Sequence, residues 1–236
     1  MKRLNHKGWR LLYDSNVDER QASLLFEAVQ SSDYQKIDSL KENHRSHVKR
    51  IKISTYDLVL KVPTEKNKRP WIRFVSLFRQ GEAFKNVMAM NTLLKSGILT
   101  TRPLLAAEYR NKGMVTDSWL LYEYLDAKSC LDRPETFPDV VNTLARVHSN
   151  NLLHGDSQIR NFLSSNSNIY VIDANPQRPL FAPFSKAFEW AYLCRSQPEI
   201  EAYYGVHGQG MWYRLAKWYD TTERKWKRWK RRKFNY

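Results

Sequence analysis

Apolar and polar positions alternate from Tyr56 to Val62 (Tyr-Asp-Leu-Val-Leu-Lys-Val, closed by Pro63), which predicts a strand with Val59 and Lys61 on one face. Pro138 to Ser149 carries Val140, Val141, Leu144 and Val147 at helical spacing, and Asn150-Asn151 follow as a stop. Leu152-Leu153 predicts a short buried strand and Gly155 a tight turn. Phe162-Leu163 and Ile169 to Ile172 predict a hairpin around the polar stretch Ser164 to Asn168. Upstream, a helix is expected from Ile72 through Lys95, kinked at Gly81 and stopped at Gly97. Trp119 to Leu125 reads as an apolar strand running into a polar segment. Before Asn43 the pattern supports a helix over Val17 to Val29 and little else.

A chain of 236 residues can bury one sizeable core or two small lobes. Its eight glycines gather into no linker, and no internal repeat marks an independent domain. The elements therefore group as a smaller N-terminal lobe over residues 1–122 and a mainly helical C-terminal lobe over residues 123–236. Cys130 and Cys194 are too few and too isolated for a disulfide framework or a metal site. Met1 to Arg10 is polar and basic with no apolar run after it, and no stretch approaches bilayer-spanning length.

The chemistry concentrates in His154-Gly155-Asp156-Ser157-Gln158-Ile159-Arg160-Asn161 and in Tyr170-Val171-Ile172-Asp173. An Asp, an Asn five residues later and a second Asp closing an apolar strand form the polar set of kinase-type phosphoryl transfer. Asp156 can orient a hydroxyl and accept its proton, while Asn161 and Asp173 offer hard oxygen ligands for the Mg²⁺ that accompanies ATP. The plainer alternative is a hydrogen-bonded turn, a cap and a strand end; it explains each residue but not the spacing. Such a fold needs a strand lysine, a helix acid and a hinge upstream. Lys61 can reach phosphates with Val59 against adenine, and Glu82, the only acid of the predicted helix, is the natural partner for Lys61. Glu123 to Leu125 would line adenine through the backbone, although an ordinary buried strand fits the same residues. No glycine occurs in Asn43 to Tyr56, where a phosphate-cradling loop belongs, so His47, Lys49 or Arg50 would have to meet the phosphates.

His-Gly-Asp resembles the small-molecule kinases of the aminoglycoside phosphotransferase and choline kinase type. A closer resemblance is to the bacterial lipopolysaccharide core kinases, particularly those acting on inner-core heptose. It rests on the strand lysine, on Phe78-Arg79-Gln80-Gly81-Glu82-Ala83-Phe84-Lys85-Asn86, on Ser96-Gly97-Ile98 and on the Gly-Asp-x4-Asn-Phe block, and spans residues 59–175. The resemblance implies an α+β, bilobal protein-kinase-like fold with an antiparallel-sheet N-lobe and a mainly helical C-lobe. It also implies ATP-dependent phosphorylation of a lipopolysaccharide inner-core sugar, heptose favoured over Kdo. Carried over by position, Asp156 is the base, Asn161 and Asp173 are Mg²⁺ ligands, Lys61 binds phosphate and Glu82 anchors it. Two departures stand out: the missing Gly-rich loop, and Ala174-Asn175 after the metal Asp in place of Phe-Gly. A small-molecule kinase, or a kinase-shaped pseudoenzyme binding anionic membrane or nucleic acid, is the alternative.

The net charge of +15 and pI near 9.8 draw the chain to anionic partners. Arg224 to Lys233 interleaves Trp226 and Trp229 with basic residues, a composition suited to an anionic membrane surface; nucleic acid would be attracted by the same residues. With a lipopolysaccharide core glycolipid as the implied acceptor, the membrane is favoured, and a peripheral place on the cytoplasmic face of the bacterial inner membrane is expected. Trp71, Trp212, Tyr213, Trp218 and Tyr219 are candidates for stacking on sugar rings or for core packing.

Overall fold

The computed structural model describes the backbone of residues 1–234 and the side chains of residues 1–230. The chain forms two compact units, residues 1–95 with 100–126, and residues 96–99 with 127–236.

The first unit is built on a seven-stranded sheet. Its strands are β1 (Lys2–His6), β2 (Trp9–Tyr13), β3 (Gln35–Glu42), β4 (His47–Ile53), β5 (Tyr56–Val62), β6 (Pro103–Asn111) and β7 (Met114–Glu123), in the order β1-β2-β6-β7-β5-β4-β3 with every pair antiparallel. Tight hairpins turn through left-handed residues, Lys7-Gly8 between β1 and β2 and Lys112-Gly113 between β6 and β7. Helix α1 (Glu19–Gln30), whose first turn is capped by Asp18 accepting the Gln21 N–H, buries Ala22, Leu25 and Phe26 against Leu11, Ile51, Leu58, Leu60, Leu105 and Trp119 on one sheet face. Short helices α2 (Thr64–Lys68) and α3 (Pro70–Val75) follow β5. Helix α4 (Glu82–Lys95) packs Ala83, Phe84 and Val87 against Leu12, Ala106 and Leu120 on the opposite face. Alternation thus separates neighbours: Trp119 faces α1 and Leu120 faces α4.

The single helix expected over residues 72–95 is in fact two. Between α3 and α4 the chain turns through Ser76 to Gly81, and Gly81 is a break, not a kink. The cause lies on β6. A Cβ at Gly81 would stand 2.5 Å from Glu108 Oε1, and Arg110 takes the carbonyls of Ser76 (2.8 Å) and Arg79 (3.1 Å). Burial pushes the Glu108 carboxyl up, opposed by Arg110 and by the backbone N–H groups of Phe84 and Gly81. β1 to β3, before Asn43, carry no alternation strong enough to foresee.

The second unit joins helix α5 (Phe137–Ser149), a three-stranded sheet of β8 (Lys128–Ser129), β9 (Phe162–Ser165) and β10 (Asn168–Val171), and helices α6 (Ala182–Ser196) and α7 (Met211–Phe234). Phe137, Val140, Leu144 and Val147 of α5, Phe162, Val171, Trp190, Leu193, Tyr204, Tyr213 and Ala216 are buried in this unit. Residues 96–99 belong to it through Leu99 O, which accepts the Val171 N–H at 2.8 Å, and Gly97 O, which accepts from Arg146 at 2.7 Å. Among the described residues no helix is long and apolar enough to cross a membrane.

Candidate active site

The loop after α5 is fixed residue by residue. Leu153 bridges to Gln177, and His154 O accepts the Asn175 N–H at 2.8 Å. Gly155 sits at φ +85°, and a Cβ there would lie 2.7 Å from Asn175 O, so only glycine passes this crossing. Past Asp156 the chain closes a 3-10 turn over Ile159–Asn161, which swings Asn161 back toward Asp156. Asn161 Nδ2 donates to Asp156 O at 2.8 Å and to Asp156 Oδ2 at 3.0 Å. Gln158 Nε2 donates to Asp156 Oδ1 at 2.7 Å and to the Tyr192 hydroxyl at 3.0 Å. Both Nδ2 hydrogens of Asn161 point at the aspartate, which turns its Oδ1 the other way. Asn161 O accepts the Ile172 N–H at 2.9 Å, so Asp173, at φ +51°, is tied to the same loop. Asp156, Asn161 and the end of β10 are therefore brought together within one unit.

Beneath the loop lies Glu189 of α6, which the sequence pattern did not single out. Its carboxylate accepts the backbone N–H groups of His154 (2.8 Å) and Gly155 (2.6 Å) and the Nε2–H of His148 (2.9 Å), and Ser157 Oγ donates to its backbone carbonyl. His154 is wholly buried; Nδ1 accepts the Asp156 N–H at 3.3 Å, which leaves the proton on Nε2. Burial holds the His154 imidazole below its ordinary pKa, against the pull of Glu189, Asp156 and Asp173. A cleft of about 330 Å³ opens beside Asp156, lined by Gln177, Phe184, Ser185, Phe188 and Tyr192.

In the first unit, Lys61 pairs across the sheet with Leu120 and Val59 with Tyr122, which sets both on the face covered by α4. Glu82 opens α4 and forms an ion pair with Lys66 of α2. Glu123 ends β7 half-paired to Arg102 at 3.4 Å. The backbone N–H groups of Glu123 and Tyr124 are bonded to Arg102 O and Asp57 O, so the next N–H open to a ligand in this segment is that of Leu125. The glycine-free stretch runs from the β3–β4 connection through β4 to the β4–β5 turn, where Ser54 at φ +53° makes the turn a glycine would otherwise make. Arg50 does not stand ready for a phosphate: Asp57 holds its guanidinium at 2.9 and 2.6 Å, and Tyr124 lies under it. Of the candidate stacking aromatics, Tyr213 is a core residue whose hydroxyl donates to Glu201, whereas Trp71 and Trp218 are exposed.

Among the described residues no group of three or more His, Cys, Asp or Glu side chains is placed to hold a metal. Asn161 and Asp173 nonetheless suit Mg²⁺, which takes one or two protein oxygens and completes its shell with substrate phosphates and water. The donor chemistry fits.

A family model described as "Lipopolysaccharide core biosynthesis protein (WaaY)" matches residues 1–189. No curated protein matches the chain. Among solved structures, WaaP in complex with acyl carrier protein is similar at 17% identity and TM-score 0.56, covering 95% of this chain and 97% of that one. A thermostable mutant of aminoglycoside phosphotransferase APH(4)-Ia, in ternary complex with ADP and hygromycin B, is similar at 12% identity and TM-score 0.52, covering 79% and 83%. These likenesses establish a protein-kinase-like α+β fold.

Proposed function

The chain belongs to the lipopolysaccharide core biosynthesis (WaaY) family, and on that footing we propose that it transfers the γ-phosphoryl group of ATP to a hydroxyl of an inner-core sugar, heptose in preference to Kdo. It is a phosphotransferase with an alcohol group as acceptor, working in the assembly of the lipopolysaccharide core. The observation that carries the finer reading is the Asp156 carboxylate, fixed on one oxygen by Gln158 and on the other by Asn161.

In this reading the acceptor oxygen bonds to the γ-phosphorus as the bond to the β,γ-bridging oxygen breaks. The hydroxyl proton passes to Asp156, and ADP leaves with the bridging electron pair. Asn161 Oδ1 and the Asp173 carboxylate would hold Mg²⁺, which when bound neutralises charge on the phosphates. Lys61 serves the phosphates, Glu82 supports it from the start of α4, Val59 lies against adenine, and the segment from Glu123 to Leu125 reads its edge. Holding these groups in place is the main contribution, because phosphoryl transfer asks for position and charge more than covalent help.

The C-terminal helix supports a place at an anionic membrane surface. On α7, Met211, Leu215, Trp218, Trp226 and Trp229 recur at helical spacing and are exposed, while Tyr213, Ala216 and Asp220 face the core. Basic residues flank that stripe, which supports the reading of a peripheral position on the cytoplasmic face of the inner membrane.

The test is transfer of labelled γ-phosphate from Mg-ATP to purified, underphosphorylated core lipopolysaccharide, wild type beside Asp156→Asn. Label in the glycan with wild type alone supports reaction, base and acceptor class. Absence of label with wild type refutes the acceptor.

A further inference from the structure

Helix α3 and the turn after it carry apolar side chains on two sides. Ile72 and Val75 lie on the inner side, beside Val115 of β7. Trp71, Phe74 and Phe78 lie on the outer side, exposed by 72, 50 and 80%, and Leu77 is exposed with them. The rings follow one another, Trp71 on Phe74 at 5.8 Å and Phe74 on Phe78 at 6.2 Å between centroids. A contiguous apolar patch of this kind is costly in water and marks a surface that meets something apolar.

Looseness does not explain the exposure. Asn67 donates to Ser118 O at 3.0 Å and accepts the Ser118 hydroxyl at 2.7 Å, while Asn67 O accepts from Arg73 at 2.6 Å. Ser76 Oγ accepts the Val115 N–H at 2.8 Å, and Arg110 of β6 holds the carbonyls of Ser76 and Arg79. A backbone tied in this way to β6 and β7 presents the rings on a fixed support.

The same turn forms a wall of a basic pocket of about 270 Å³, where Leu77, Phe78 and Arg79 meet Arg3, Arg10 and Arg110. Cross-strand pairing of Arg3 with Leu12 and of Arg10 with Glu108 sets both arginines on the sheet face that α4 covers, toward the β1 edge. Arg110 is engaged by Glu108, the acid of the lining, at 3.4 Å. Arg3, Arg10 and Arg79 pair with no carboxylate among the described residues, so three guanidinium groups border an aromatic patch with their charge uncompensated.

We infer that this surface of the first unit docks on an anionic lipid bilayer, with Trp71, Phe74 and Phe78 entering the headgroup region and the arginine pocket taking a lipid phosphate. This contact is separate from that of α7 and independent of the reaction catalysed. Aromatic rings suit the boundary between headgroups and acyl chains, and guanidinium groups bind phosphate oxygens in pairs. Two copies of the chain meeting through this face would oppose arginine to arginine, which disfavours self-association there.

The experiment is hydrogen-exchange mass spectrometry on the full chain with phosphatidylglycerol vesicles, with affinity measured by co-sedimentation. Amides of residues 70–80 should exchange more slowly when vesicles are present. Trp71→Ser with Phe78→Ser should weaken vesicle binding roughly tenfold or more, the loss expected for two interfacial rings. Arg10→Gln with Arg79→Gln should weaken it by roughly fivefold for each charge removed. The exposed sites should leave the unfolding midpoint unchanged, and the glutamine pair carries the test if the serine pair does not fold. Unchanged exchange at residues 70–80, or wild-type binding by both pairs, overturns the docking surface. Protection confined to residues 211–234 overturns it too and assigns the whole contact to α7. Protection that needs no lipid, grows with protein concentration and vanishes in the serine pair would make a second copy the occupant, and the bilayer proposal would fall.

Discussion

Glu189 reaches across the loop to Gly155, accepting its backbone N–H on Oε1 at 2.6 Å from 34 residues downstream in sequence. The second oxygen takes the N–H of His154 and the imidazole of His148, so three donors converge on one buried carboxylate. The position of the residue next to Asp156 therefore depends on α6. Replacing Glu189 with Gln leaves one oxygen for three donors and turns an N–H₂ toward them. A loss of about 2–3 kcal/mol is expected, with a clear fall in turnover, because hydrogen bonds to a charged acceptor contribute in that range. Urea unfolding and phosphate transfer measured together check this; a wild-type midpoint and wild-type turnover in Glu189→Gln would show that the carboxylate does not position the loop.

Gly155 admits no side chain. Its φ is +85° and a Cβ would contact Asn175 O at 2.7 Å, so Gly155→Ala must move the backbone of one of the two crossing segments. A cost of about 3 kcal/mol is expected, combining left-handed strain with a backbone clash. Thermal unfolding reads the first effect and turnover the second, and a neutral Gly155→Ala would mean the crossing is looser than drawn.

Asp156→Asn keeps an oxygen for one of the two amides that hold the side chain and opposes the other with an N–H₂. Stability should change by about 1 kcal/mol, whereas transfer should fall by roughly 10²–10⁴, the range for losing a general base. The pairing of a small shift in unfolding midpoint with a large loss of kcat is the signature; equal turnover would remove Asp156 from the mechanism.

His154 predicts the direction of one pH effect. Its folded pKa lies below the ordinary value of 6.5 because the ring is buried. The unfolded chain therefore binds a proton that the native state resists, and stability rises with pH in that window. The contribution is complete above pH 6.5 and is lost as pH falls from there toward the folded value. His207, also lowered by burial, acts in the same direction. His154→Asn keeps an acceptor for the Asp156 N–H and cannot titrate, so it should flatten part of the acid limb of a stability–pH profile. An unaltered limb would assign the effect to other groups.

Deleting residues 223–236 should weaken binding to vesicles rich in anionic lipid, and wild-type binding should itself weaken as salt rises. Sedimentation with liposomes at two salt concentrations tests it. Equal binding by the truncated chain would place the contact elsewhere.

What the sequence determined is what depends on neighbours along the chain. β5 follows from an apolar run flanked by Asp57 and Lys61 and closed by Pro63, α5 from apolar spacing, and the Asp156–Asn161 pairing from a five-residue separation that one 3-10 turn closes. Such contacts are set by local backbone geometry, so residue order reveals them. The ion pair between Glu82 and Lys66, on a short helix the pattern did not foresee, was not legible in residue order. Tertiary structure alone decided the rest. Glu108 breaks the expected long helix from a strand 27 positions beyond Gly81, Glu189 holds the loop from a later helix, and Phe184, Phe188 and Tyr192 meet Asp156 only after α6 packs. These residues act through buried hydrogen bonds and close approach between distant segments. Those energies depend on where two backbones pass each other in space, and spacing within either segment does not record that.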